Sequence, residues 1–280
     1  MILFFVVGVS ALSVIGIYSY FNAKAALLKR TLDQLTSIRV IKKNQIEFFF
    51  NERFNNINLL SENDYLKSLV LDLEVGREKM STNKSTSRTI PERLNNNPFG
   101  FNSLHLLIGS KNESTKILKI QGAESHFITP DSSTYQQLLK LWNKSVLTNE
   151  TVIVDFSKRF IDDNDPQCFI GKQIITQAKE SIGVLALQIP IHDINSIMLE
   201  DSPENGLGKS GEVYLVGDDY LMRSNSRFIP NSVLNTSVKT TSAISAFKDK
   251  VGSSLIDDYR TVACLSSYDK LAVTGLSWAI

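Results

Sequence analysis

Residues 206–228, GLGKSGEVYLVGDDYLMRSNSRF, decide how the chain is read. Gly206, Gly208 and Gly211 admit backbone angles closed to other residues, so a tight connection from a helix into a strand is predicted there. Residues 212–216 then alternate as a strand, Gly217-Asp218-Asp219 supplies turn chemistry, and residues 220–223 begin the return strand. Gly208-Lys209-Ser210 also looks like the end of a phosphate-binding loop. That pattern needs a glycine at position 203, where Pro203 stands, and a helix after it to hold phosphate, where a strand pattern follows.

Upstream, residues 181–189 (SIGVLALQI) read as a strand, and Pro190 opens a short helix, PIHDINSIMLE. Together these segments resemble the membrane-proximal part of the double Cache sensor domains, the extracytoplasmic PAS-like domains of bacterial chemoreceptors, histidine kinases and nucleotide cyclases. The resemblance is carried by Ile182-Gly183-Val184-Leu185-Ala186-Leu187-Gln188-Ile189, Ile194-Asn195, Gly206-Leu207-Gly208, Ser210-Gly211-Glu212, Tyr214-Leu215-Val216-Gly217 and Leu221-Met222-Arg223-Ser224. It covers residues 24–280, and between 76 and 159 it rests on pattern alone. It implies an α+β chain with two PAS-like antiparallel units, a ligand in the membrane-distal one, and a second membrane helix and output module beyond residue 280.

The N-terminus fits that reading on its own physics. Residues 1–23 carry no charge and are long enough for a hydrocarbon layer that needs about 20 apolar residues. A cleaved signal peptide would have a basic start and a shorter apolar core, so an uncleaved anchor is expected. Lys24, Lys29 and Arg30 can snorkel to the headgroups, and Tyr18, Tyr20 and Phe21 sit where an aromatic belt belongs. The helical pattern then continues: Leu28, Leu32, Leu35, Ile38 and Ile41, followed by Ile46, Phe49, Phe50, Phe54, Ile57 and Leu60, recur at steps of three or four, with no Gly or Pro between Gly16 and Gly76. A stripe this long predicts a rod that packs on its own domain, on a second copy in a parallel homodimer, or on both. Read on Lys24, Lys29 and Arg30, the positive-inside rule would keep the rest of the chain in the cytoplasm. That rule weakens for long translocated domains, and the resemblance places residues 24–280 outside, anchored in the inner membrane.

The middle of the chain supplies the candidate site. A break and a short helix are expected at 61–75, capped by Ser61 or Asn63, and the polar run 76–98 reads as a mobile loop. Strands are predicted at 103–108, 116–120, 152–156 and 168–176, with a helix at 132–144 whose Tyr135, Leu138, Leu139 and Trp142 share a face. A mixed sheet built mostly from hairpins, with helices before and within it, argues α+β. Beyond 228, a helix at 242–248 and strands at 258–265 and 271–278 complete the second unit. The expected units are 1–23 (transmembrane), 24–64 (long helix), 65–190 (distal) and 191–280 (proximal). In PAS-like units the ligand lies between the sheet and its covering helix. That implies Tyr135 and Trp142 from the helix, and His105, Asp155, Phe156, Phe160 and Lys172 from the sheet and loops. Asp155 and Lys172 are charges in otherwise apolar strands, so they either pair with each other or await a polar ligand. Amino-acid-binding members of the family carry an Arg two residues before a Trp-Tyr pair. The run here is Lys140-Leu141-Trp142-Asn143, which argues against free amino acids bound in that manner.

Composition narrows the function classes. The 280 residues are 42% hydrophobic and 21% charged, ordinary globular values, and a net charge of +1 gives no footprint for nucleic acid. Residues 162–165 (DDND) lack the glycine and terminal glutamate of a calcium loop. His105, His126 and His192 stand apart without metal-ligand spacing, and no serine sits in a nucleophile elbow. Cys168 and Cys264 are far apart and read as unpaired. The expectation is a membrane-anchored small-molecule sensor that is not an enzyme and needs no cofactor or metal. The alternative is a membrane-anchored interaction module with the same fold and no ligand.

Overall fold

Helix α1 runs unbroken over Ile2–Ser61, roughly 90 Å at about 1.5 Å per residue. The structure, a computed structural model, describes residues 2–75, 101, 103–109, 115–121, 124–158, 161–162, 165–199 and 206–280. The expected loop at 76–98 and Phe160 lie outside them. Every residue of α1 from Phe4 to Thr31 is exposed, and this part is long and apolar enough to cross a membrane. From Ile38 onward the helix turns one face inward, with Ile46, Phe50 and Ile57 fully buried beside Phe49 and Leu60. The apolar stripe therefore splits. Leu32 and Leu35 are half-buried, whereas Leu28 is exposed and so is Ile41, which lies about 140° around the helix from Ile46. Phe48 and Leu59 share the Ile41 face and are also exposed. Helix α2 (Asp64–Val75) follows after Asn63, whose side-chain oxygen accepts from Tyr65 N and Leu66 N at 3.0 and 3.2 Å and so caps it.

Helices α1 and α2 lie against one face of a seven-stranded sheet. Its strands are β1 (Leu104–Ile108), β2 (Lys116–Gln121), β3 (Glu124–Phe127), β4 (Val152–Val154), β5 (Ile161–Asp162), β6 (Asp165–Ile175) and β7 (Ser181–Pro190). The order is β3-β2-β1-β7-β6-β4, with β5 paired to β6, and every pairing is antiparallel, so the expected mixed sheet is not found. Strand β7 lies at the centre, which explains its run of apolar residues without alternation. Elsewhere period-two alternation sorts side chains cleanly. Leu104, Leu106 and Ile108 of β1 face the α1 side, while Leu107 faces helix α3 (Ser133–Ser145) on the other.

The second half is built more sparsely. After helix α4 (Ile191–Met198), strand β8 (Val216–Gly217) pairs with β11 (Trp278–Ala279), and β9 (Gly252–Asp257) pairs with β10 (Ala263–Tyr268); helix α5 (Thr241–Ala246) packs beside the latter pair. The return strand after Gly217 is reduced to a bridge between Val216 and Met222. Two further expectations shift. The strand placed at 258–265 begins as a turn, because the Asp258 carboxylate accepts from Arg260 N at 2.7 Å and Val262 N at 3.0 Å, and Thr261 takes a positive φ of 62°. The strand placed at 271–278 is interrupted by Gly275 at φ 82°.

The two halves are joined at Asp155, just past β4. Its carboxylate accepts from Arg223 Nε at 3.0 and 3.3 Å and from Trp278 Nε1 at 3.0 Å, while Phe156 N donates to it at 2.7 Å. Arg223 also bonds Asp219 at 2.9 Å. Burial works to lower the Arg223 pKa, yet Asp155 and Asp219 hold it above the usual guanidinium value, so the cation is secure. Burial pushes the Asp155 carboxyl up, and Arg223 and the Trp278 N–H oppose that rise. Phe156 stacks on Trp278 at 6.0 Å between centroids, and Trp278 meets Phe50 of α1 edge-on at 5.5 Å. Asp155→Ala leaves the Arg223 guanidinium buried without its main partner. It should cost up to about 3 kcal/mol, the lower end for a broken buried pair because Asp155 keeps 29% side-chain exposure. Urea denaturation of detergent-solubilised protein measures this. Asp155→Leu with Arg223→Met should restore most of the loss, and a neutral single variant would show that the clamp is ornamental.

Candidate functional site

The face of the sheet covered by α3 brings together the largest share of the expected site residues. Ser132 caps α3, its hydroxyl accepting from Tyr135 N at 3.1 Å, and Leu138, Leu141 and Trp142 are buried against Leu107, Ile117, Phe169, Val184 and Ala186. Gly171 on β6 lets the helix sit this close. A Cβ there would stand 2.6 Å from Leu141 Cδ2, inside any tolerable contact. Two polar anchors fix the helix lengthwise. The Tyr135 hydroxyl donates to Thr115 O at 2.6 Å, and Gln137 Nε2 donates to Gln167 O at 2.7 Å and to Asp155 O at 3.2 Å.

His105 points into this face from β1. It is wholly buried, meets Phe169 edge-on at 5.3 Å, and neither ring nitrogen has a partner. Burial drives its pKa down to about 3, with Lys119 and His126 adding to the shift, so the ring is neutral across physiological pH. Gln137 Oε1 and Ser145 Oγ, both on α3, are buried and unpartnered as well. Each such group costs about 1–3 kcal/mol when left unpaired. The α3 face is therefore apolar in bulk but carries a neutral imidazole, an amide oxygen and a hydroxyl that can each take a hydrogen bond.

Of the expected residues, His105, Tyr135 and Trp142 share this face. Asp155 and Phe156 do not. Phe156 packs in the cluster on the α1 side, and the Asp155 carboxylate is engaged by Arg223 and Trp278. Lys172 shares the parity of Ile170 and Ile174, which face α1, and its ammonium donates to Asn149 O, so the anticipated Asp155–Lys172 pair does not form. Lys140 and Asn143, at the positions where amino-acid-binding members carry Arg and Tyr, are exposed. Gln137 was missed in sequence because a glutamine on an amphipathic helix looks like a solvent residue. Its spacing of one turn from Leu141 was the available signal.

No family model matches the chain, and no curated protein sequence matches it. Solved structures do. The sensory domain of the Campylobacter jejuni chemoreceptor Tlp3 superposes with a TM-score of 0.56 at 16% identity, covering 92% of this chain and 95% of that one. The ligand-binding domain of the Pseudomonas aeruginosa amino acid chemoreceptor PctC, in complex with GABA, gives 0.55 at 13%, covering 89% and 97%. The ligand-binding domain of the Pseudomonas fluorescens chemoreceptor CtaA, in complex with L-isoleucine, gives 0.56 at 12%, covering 92% and 94%. At these identities the likeness speaks for the fold, and it extends over nearly the whole chain. The protein has the fold of the sensory domains of bacterial chemoreceptors.

Proposed function

We propose that the protein is the extracytoplasmic sensor of a membrane receptor, binding a small molecule between the sheet and α3 and passing the signal to the membrane through α1. The observation that carries the reading is His105, a fully buried neutral imidazole with both nitrogens free, beneath a helix seated by Gly171. An unpaired polar group is tolerated where a ligand supplies the partner in the other state of a two-state equilibrium, so binding shifts the population toward the open arrangement. The neighbours' complexes with GABA and L-isoleucine support a small polar ligand, and their being sensory domains supports the absence of catalysis in this chain. The reading takes residues 65–190 as the membrane-distal unit and 191–280 as the proximal one, with α1 anchored in the inner membrane. A second reading, an interaction module without a ligand, draws on the dense apolar packing around Trp142 and Leu138.

Dimerisation along α1 is part of the proposal. The stripe facing its own domain is used, which leaves Ile41, Phe48 and Leu59, at 56%, 64% and 63% exposure, as the apolar face for a second copy.

Three outcomes are expected. A thermal-shift screen of the full chain against metabolite classes should yield a stabilising compound whose effect His105→Leu abolishes without lowering the melting temperature of the empty protein at pH 7. The sign for pH follows from a folded pKa of about 3 against 6.5 unfolded: stability is complete above pH 6.5 and falls by about 1.4 kcal/mol per unit as pH drops towards 3. His105→Leu should flatten that slope, whereas stabilisation retained in the variant would overturn the site. Second, single cysteines at Ile41, Phe48 and Leu59 should cross-link in membranes, while one at the inward Ile57 should not. Third, Leu147→Cys on the exposed end of α3, in a Cys264→Ser background, should react with an impermeant thiol reagent on intact cells. Labelling only after lysis would place the domain in the cytoplasm.

A further inference from the structure

A cavity of about 140 Å³ lies in the other half of the chain, well separated in sequence and topology from the α3 face. Its walls are α1 at Leu35, Ile38 and Arg39, the β9–β10 pair at Ile256 and Cys264, the strand-like run through Tyr214, and Ser242 and Ala243 of α5. The Gly206–Gly211 turn presses onto α1 above it. The side-chain amide of Gln34 donates to Gly206 O, and a Cβ on Gly206, at φ 78°, would stand 2.9 Å from that amide nitrogen. The turn motif that marks the family resemblance thus lies along one side of this space, against the rod.

Two arginines and two acids line that space, and Arg39 stands outside the pairing of the others. Arg39 is 8% exposed, and its Nη1 donates to Tyr268 O at 3.0 Å, Ser267 Oγ at 3.2 Å and Gly252 O at 3.5 Å, all of them neutral acceptors. Its Nε has no partner, and no carboxylate among the described residues reaches it. Ser242, 5% exposed, also has an unpartnered hydroxyl. The two acids that line the cavity are already committed. Glu212 accepts from Tyr259 Oη at 2.6 Å, Ser226 Oγ at 2.9 Å and Arg227 N at 3.2 Å, and Asp258 is saturated by Arg260 and Val262 N. A buried guanidinium without a counter-charge is costly, and its planar edge matches a carboxylate.

We propose that this cavity is a second binding site, independent of the α3 face, that takes a small monocarboxylate. The carboxylate accepts from Arg39 Nε and Ser242 Oγ, and a short apolar tail lies against Leu35, Ile38 and Ile256. A cavity of this size holds a molecule of about six non-hydrogen atoms, as the benzene-binding cavities engineered into other proteins do. Occupancy ties the rod directly to the proximal half, because Arg39 belongs to α1 and Ser242 to α5.

The test uses the full chain in detergent or nanodiscs, with butyrate as probe and chloride at equal ionic strength as reference. Butyrate should raise the melting temperature saturably, and calorimetry should give one site per chain. Butyramide, its neutral isostere, should have no effect. Arg39→Gln should abolish the response, Ser242→Ala should weaken binding about tenfold, and His105→Leu should leave it unchanged. Failure of butyrate and its shorter homologues to stabilise the wild type, equal binding of butyramide, or a response that survives Arg39→Gln would each overturn the site. Since Ser242→Ala and the butyramide control need no change at Arg39, a misfolded Arg39 variant does not shelter the proposal. Loss of the His105-dependent response with the butyrate response retained would count against the α3 site alone.

Discussion

The Asp155 carboxylate is the constraint on which the arrangement of the chain depends. It gathers donors from 68 and 123 residues away, Arg223 and Trp278, onto the end of β4. Among the described residues, its bonds to Arg223 and Trp278 are the polar tie between the edge of the seven-stranded sheet and the second half. Three aromatic rings continue the same junction inward, from Phe156 through Trp278 to Phe50, so that an ion pair near the surface and an apolar contact on α1 form one joint. The polar part gives the joint its register and the rings give it area. Burying a side chain such as Phe50 contributes about 1.5–3 kcal/mol, more than the net gain from most ion pairs.

Helix α1 has two environments along one unbroken rod. Its first turns carry apolar groups that nothing among the described residues covers, and the later turns carry apolar groups that the sheet does cover, with Lys43 bonded to Asp269 at 2.8 Å where α1 passes the C-terminal segment. Arg53 lies over the Phe49 ring at 4.5 Å, shielding the inward face from the outward one. The same helix thus has a stretch long and apolar enough for a membrane, a stretch packed on its own domain and, at Ile41, Phe48 and Leu59, an exposed apolar face.

Much of this was legible in the sequence because it is written in periodicity. The uncharged run at the N-terminus, the alternation in β1 and β2, and the Asn63 cap of α2 each follow from local rules, and the structure places them within a residue or two. What local rules could not supply were pairings across long separations. Asp155 looked like a charge in need of a ligand because its partner lies in a turn motif read for its glycines, although Leu221-Met222-Arg223-Ser224 already placed an arginine among buried neighbours. The strands beyond residue 257 failed for the opposite reason. Residues such as Tyr259 and Val262 have strand propensity, and the Asp258 side chain overrides it by folding the backbone into a turn. Arg39 went unnoticed because one cation on a long polar helix face gives no sign of burial until the 206–211 turn is seen lying across it.

The continuity of α1 also has a mechanical consequence. The helix is held by its domain from about Gln34 onward and extends about 45 Å from there to Phe4, with no proline or cap to act as a hinge on the way. It is therefore a lever with a held arm and a free one of about equal length. A rotation of about 5° at the grip would carry the far end about 4 Å sideways if nothing opposed it. In a bilayer, lipid would oppose it, so the same rotation would be felt there as torque, and the work done would be set by the stiffness of the helix rather than by the size of the motion at the domain.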